Sequence, residues 1–103
     1  MTQPEGRLSR RIMDALRKED AFVFKVHGSE HMMAGLPDLI CCYKGYFLGL
    51  ETKMPGKKDN TSARQDWVHQ RIRDAEGFVA VVTSIPEAIG CLRMIDSLDD
   101  DEP

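Results

Sequence analysis

Residues 35–53, Gly-Leu-Pro-Asp-Leu-Ile-Cys-Cys-Tyr-Lys-Gly-Tyr-Phe-Leu-Gly-Leu-Glu-Thr-Lys, set Asp38, Glu51 and Lys53 into an otherwise apolar hairpin pattern. Tyr43 and Tyr46 flank Lys44-Gly45, which suits a two-residue hairpin loop. A hairpin closed there pairs Tyr43 with Tyr46 and, counting outward, brings Asp38 opposite Glu51. Like charges facing each other in a sheet repel, so this carboxylate pair requires a compensating cation. Lys53, two residues past Glu51, lies on the same face. The two faces of the hairpin, Ile40, Cys42, Phe47 and Gly49 on one and Leu39, Cys41, Leu48 and Leu50 on the other, are both apolar. That predicts a sheet covered on both sides.

The flanking chain reads as alternating helices and strands. Leu8, Ile12 and Ala15 or Leu16 recur at helical spacing over residues 4–18, with Arg7, Arg10, Arg11 and Arg17 mostly on the other faces. Pro4 suits the first turn. Glu5 extends the Leu8 and Ile12 series backwards and has two readings: it closes a Thr-x-x-Glu capping box with Thr2, or it is an acidic group aimed at the hairpin. Residues 21–26 are β-rich, and the polar loop after them ends at Gly35-Leu36-Pro37, where Pro37 holds Leu36 extended and gives Asp38 a rigid approach. Residues 54–61 form a polar loop. Its Gly56-Lys57-Lys58 is no phosphate-binding loop, because no Ser or Thr follows the lysine and no helix starts there. A second helix is expected over 62–76, capped by Thr61 or Ser62, stopped by Gly77, and buried along Val68, Ile72 and Ala75. Gln65 borders that stripe at its first turn and can look inward. Residues 78–83, apolar throughout, read as a central strand, and Pro86 opens a final helix carrying Ala88, Ile89, Leu92 and Ile95.

The 103 residues make one domain, expected over 1–98, with an acidic, disordered tail at 99–103. The net charge of −3 argues against nucleic acid until it is divided. Asp96, Asp99, Asp100, Asp101 and Glu102 supply five negatives, so residues 1–95 carry +2, and residues 44–73 alone carry +4. A local basic surface is therefore available for phosphates. Apolar runs fall far short of the roughly 20 residues that span a bilayer, and the N-terminal residues lack the stretch of a secretory signal, so a cytoplasmic protein with reduced cysteines is expected. Cys41, Cys42 and Cys91 read as buried small apolar residues and not as a zinc site or disulfide framework.

Pro37-Asp38 followed by Glu51-Thr52-Lys53 resembles the PD-(D/E)xK nuclease signature. Glu5, Lys25-Val26-His27-Gly28-Ser29, Gly35-Leu36-Pro37-Asp38, Glu51-Thr52-Lys53-Met54-Pro55-Gly56, Ser62-x-x-Gln65 and the strand after Gly77 together resemble the VRR-NUC family of virus-type replication and repair nucleases, over nearly the whole chain. The resemblance implies a restriction-endonuclease-like α/β fold, an αβββαβ core with a C-terminal helix and a mixed sheet flanked by helices. It implies a stand-alone minimal nuclease of the kind phages carry, working in the cytoplasm of a bacterial host. Asp38 and Glu51 become metal ligands, joined by the Thr52 carbonyl, with Glu5 the acidic residue of the first helix, able to hold a second metal or an outer-shell water; Lys53 is the catalytic lysine and Gln65 the glutamine of the following helix. Lys25, Gly28, Ser29, Ser62 and Gln65 are expected to contact DNA, and Lys57 and Lys58 to make a general phosphate contact.

The residues support the same chemistry in their own right. A hard cation held by one or two carboxylates and several waters is the Mg²⁺ pattern, for which Mn²⁺ substitutes. Lys53 can position the attacking hydroxide or offset charge in the pentavalent transition state. The plain alternative is a surface salt bridge between Lys53 and Glu51 at a strand edge, which the apolar company of both side chains argues against. His27, His31 and His69 lack metal-ligand spacing, and His69 is expected to face solvent. Trp67 is expected to pack on the fold or a partner, and Met32-Met33 is either a loop over DNA or a hydrophobic plug. The resulting expectation is a Mg²⁺-dependent endonuclease on structured or branched DNA, acting as a homodimer so that two sites meet two strands. The alternative is a metal- and DNA-binding module of the same fold without activity.

Overall fold

A computed structural model describes residues 4–100, with side chains through Leu98. The elements are α1 (Pro4–Lys18), β1 (Phe22–Lys25), β2 (Leu39–Tyr43), β3 (Tyr46–Thr52), α2 (Ala63–Asp74), β4 (Phe78–Val82) and α3 (Ile85–Asp100). This is the expected α/β order. Thr2, one partner of the possible capping box with Glu5, lies outside the described residues, as do 101–103 of the expected tail; Asp99 and Asp100 are helical.

The four strands lie in the order β1-β2-β3-β4, antiparallel except for the parallel β3–β4 pair. The β2–β3 register runs from Tyr43↔Tyr46 to Leu39↔Leu50, as the turn residues require. Lys44 and Gly45 both take positive φ, 53° and 86°, the backbone that matches a tight turn to the twist of the strands.

One face of the sheet carries Val23, Leu39, Cys41, Leu48, Leu50 and Val82, and α1 and α3 close over it with Ile12, Leu16, Ala88, Leu92 and Ile95 in one continuous core. On the other face α2 packs against β4, and Val68 and Val79 are both buried. Toward β1, Phe22, Phe24, Cys42 and Phe47 stay exposed, Phe22 by 66%. Cover on both sides thus holds for only part of the sheet, because α2, the helix on this face, packs mainly against β4. Cys42 departs from the buried reading of the cysteines for the same reason, while Cys41 on the closed face is buried.

β4 is an edge strand and not a central one. Its apolar run reflects cover on both faces, by α2 and α3, and says nothing about its hydrogen-bonded neighbours. Both edge strands are met by an arginine: Arg17 Nη2 donates to the Val23 carbonyl at 3.1 Å and Arg73 Nη2 to that of Val79 at 3.3 Å. A charged side chain on an edge carbonyl obstructs pairing with another chain.

Candidate active site

Asp38 enters β2 behind Pro37, and the reason Pro37 can sit there is Gly49 on the neighbouring strand. A Cβ on Gly49 would come within 2.7 Å of Pro37 Cγ, so the absence of a side chain lets the proline ring rest on β3. The preceding loop is fixed in turn against α2. Gly35, at φ +87°, has no room for a Cβ against the Arg64 backbone, and Arg64 Nε donates to the Ala34 carbonyl at 3.3 Å. Asp38 Oδ2 then accepts the Thr52 N–H at 2.9 Å, which joins the two halves of the motif directly.

Glu51, in β3, is only 2% exposed. Its Oε2 accepts from Gln65 Nε2 at 3.1 Å and stands 3.9 Å from Lys53 Nζ, whereas Oε1 is buried with no hydrogen-bond partner. Burial first, and the Asp38 carboxylate second, push the Glu51 carboxyl well above the usual carboxylate range; Lys53 offsets part of that, while a hydrogen bond shared with Asp38 by the protonated form and the charge of Glu5 add to it. A buried carboxylate with an unsatisfied oxygen beside a second carboxylate is a site short of positive charge. The donor set, two carboxylates with backbone oxygen nearby, fits a hard divalent cation. Asp38 and Glu51 form a pair without a third side-chain ligand: among the described residues no group of three or more His, Cys, Asp or Glu is arranged to hold a metal. The Lys53 side chain is 16% exposed, so the surface salt-bridge alternative does not describe this pair.

Gln65 has two jobs. Its Oε1 accepts the Ser62 N–H at 2.9 Å while Ser62 Oγ accepts the Gln65 N–H at 3.1 Å, a reciprocal cap at the start of α2. Closing that cap aims Nε2 at Glu51. The sequence placed Gln65 near the buried face; that the cap itself orients it toward Glu51 emerges only when α2 is docked.

The structure separates the remaining expected residues. Gly28 and Ser29 line a cavity of about 230 Å³ that reaches Asp38 and is walled by the exposed Met32 and Met33. Lys25 pairs with Leu39 at the end of β1. Lys57 is exposed, but Lys58 Nζ is 2.7 Å from Glu87 Oε2 and ties the loop to α3, so its general phosphate role competes with an ion pair. His69 is 3% exposed and not solvent-facing: next to Val68, it is carried under α2 toward Val81. Burial and then Arg73 lower its pKa. Ala75, expected in the buried stripe, is exposed past the end of α2, whereas Trp67 is flanked by the guanidinium groups of Arg64 and Arg71 at 4.8 and 5.9 Å.

The sequence matches no family model and no curated protein. The fold matches a solved structure described as a VRR_NUC domain, with a TM-score of 0.69 and 25% identity, over 89% of this chain and 97% of that one. The likeness shows an α/β fold shared with that domain and suggests a nuclease-type domain. The likeness supports the VRR-NUC family for this chain.

Proposed function

We propose that this protein is a metal-dependent DNA endonuclease that hydrolyses phosphodiester bonds in structured or branched DNA, four-way junctions among them. The observation that carries this reading is the buried, unpartnered Glu51 Oε1 beside Asp38, with Lys53 next to it. Asp38, Glu51 and the Thr52 carbonyl would hold Mg²⁺, or Mn²⁺ in its place, and the bound ion would make a water more acidic and polarise the phosphate. Lys53 sets a positive charge where the phosphate gains negative charge, and its burial strengthens that interaction. Gln65 keeps the Glu51 carboxylate oriented. Glu5, on α1, adds negative charge toward the same centre and is suited to an outer-shell water.

The test is a panel of duplex, nicked, flap and four-way DNA incubated with Mg²⁺, Mn²⁺ or EDTA. Products are expected with either ion, most on branched substrates, and none with EDTA. Calorimetry that shows metal and DNA binding without product on any substrate would replace the enzyme by a binding module.

The same proposal includes a homodimer, which places two sites on the two strands of a junction. The uncovered aromatic face formed by Phe22, Phe24, Cys42 and Phe47 supports it, since exposed contiguous apolar surface marks an interaction site. Among the described residues, large exposed apolar side chains lie there and not along β4, and α3 offers Met94 alone. Sedimentation at micromolar concentration should give twice the 11.7 kDa chain mass; a monomer mass would remove the dimer and leave the nuclease reading in place.

A further inference from the structure

Arg64, one residue before Gln65 on α2, is exposed and yet fixed in place. Its Nε donates to the Ala34 carbonyl at 3.3 Å, and its guanidinium carbon stands 4.8 Å from the centre of the exposed Trp67 ring. Its backbone and stem lie against Gly35, where a Cβ would meet the Arg64 carbonyl at 2.8 Å and Arg64 Cγ at 2.9 Å. An aromatic face and a carbonyl orient a guanidinium without neutralising it. Arg71, the other guanidinium beside Trp67, is paired with Asp74, whereas among the described residues no carboxylate pairs with Arg64. The position is also close to the charged group of the candidate site. Gly35 lies three residues before Asp38, Gln65 reaches Glu51 at 3.1 Å, and the cavity that reaches Asp38 is lined by Ala34 and Gly35, the two residues Arg64 touches.

We propose that Arg64, steadied by Trp67 and the Ala34 carbonyl, binds a backbone phosphate of the DNA strand neighbouring the one to be cut. With Nε engaged on Ala34, the two terminal nitrogens of the fork are left for the phosphate oxygens, the planar two-point contact that guanidinium makes with phosphate. The side-chain freedom that such a contact would otherwise cost is already lost in the free protein. Trp67 is then a positioning residue: a guanidinium already stands over its ring, so its part is to hold Arg64 and not to stack on a base. One DNA strand carries a phosphate about every 3.4 Å along the helix axis, so a strand lying at Asp38 and Lys53 has another within reach of the start of α2. Such a contact sets the position and direction of the strand and reads no base sequence. The inference rests on the nuclease reading and adds to it a second anchor for the DNA, on the α2 side of the site.

Binding of a fluorescent four-way junction, measured between about 50 and 200 mM salt with Ca²⁺ in place of Mg²⁺, tests it with Arg64→Gln, Arg64→Lys, Trp67→Leu and Arg71→Gln. Arg64→Gln should weaken binding about tenfold and lower the slope of log affinity against log salt by about 1, a change that a purely structural role of Arg64 would not produce. Arg64→Lys and Trp67→Leu keep the charge but lose the fork or its support, so affinity should fall several-fold while most of the slope remains. Arg71→Gln removes a charge already paired with Asp74 and should lower the slope by less than Arg64→Gln does. An unchanged slope in Arg64→Gln, or an equal loss of slope in Arg71→Gln, would overturn the contact. If Arg64→Gln does not fold by circular dichroism, wild-type affinity in both Arg64→Lys and Trp67→Leu overturns it instead. A wild type that cuts no DNA with Mg²⁺, while Arg64→Gln still loses slope, would keep the phosphate contact and remove the nuclease reading.

Discussion

The two faces of the sheet are built on different terms. Toward α1 and α3, Leu39, Cys41, Leu48, Leu50 and Val82 meet Ile12, Leu16, Leu92 and Ile95 in one closed apolar layer. On the α2 side the sheet is divided among a small core at Val68 and Val79, the uncovered Phe22, Phe24 and Phe47, and the charged group of Asp38, Glu51 and Lys53. Glu51 and Leu50 are neighbours in β3, both buried, yet one ends in a continuous core and the other in an unsatisfied oxygen. Stability resides mainly on the first face, which frees the second to hold a carboxylate in a costly setting.

That division can be broken by experiment. Asp38→Ala, Glu51→Ala and Lys53→Ala should each lower cleavage by about 10²–10³-fold or more, the range for loss of one pre-positioned charge or donor. Their denaturant midpoints should stay near that of the wild type; unfolding of all three would mean that the charged group is part of the scaffold. Leu50→Ala, the neighbouring position, should show the reverse. Loss of a buried leucine is expected to cost about 2–5 kcal/mol in urea unfolding, with cleavage retained wherever the protein is still folded.

A pair of variants on α2 sharpens the boundary. Gln65→Ala should reduce metal affinity or cleavage by about 10–100-fold, as loss of an outer partner of a ligand does. Ser62→Ala removes the other half of the same cap, should cost about 1 kcal/mol of stability, and should leave activity closer to the wild type. Equal activity losses in the two would assign Gln65 to the cap alone. Gly49→Ala probes the contact that seats Pro37: the added methyl must displace the ring, so about 1–3 kcal/mol of stability and part of the activity should be lost together.

The smallest effect lies away from both faces. The Lys58 ammonium first, then the Thr83 backbone and side chain, hold the Glu87 carboxyl at about 2, below its usual range. A carboxylate with a depressed folded pKa contributes stability above its unfolded pKa, about 4.3, and loses that contribution as the pH falls toward 2. Acid unfolding of Glu87→Gln should therefore show a shallower fall of the thermal midpoint between pH 4 and 2. A curve that overlays the wild type would assign no net stability to this largely exposed contact.

Much of this arrangement was legible in the chain. Lys44-Gly45 dictates a tight turn through its backbone preferences, the turn sets the β2–β3 register, and the register puts Asp38 and Glu51 side by side. The helix-strand order follows from periodicity, and Ser62-x-x-Gln65 announces its cap. These are short-range signals, decided by a few neighbouring residues. The parallel partner of β4, its position at the edge, the burial of His69, and the bare strip of Phe22, Phe24, Cys42 and Phe47 were not legible. Each depends on where α2 lands, and the packing of a helix on a sheet is a contest among distant surfaces that no local pattern encodes. The sequence by itself determined the carboxylate pair and its lysine; only the docked tertiary structure decided that Glu51 would be buried, held through one oxygen by Gln65 and left unpaired at the other.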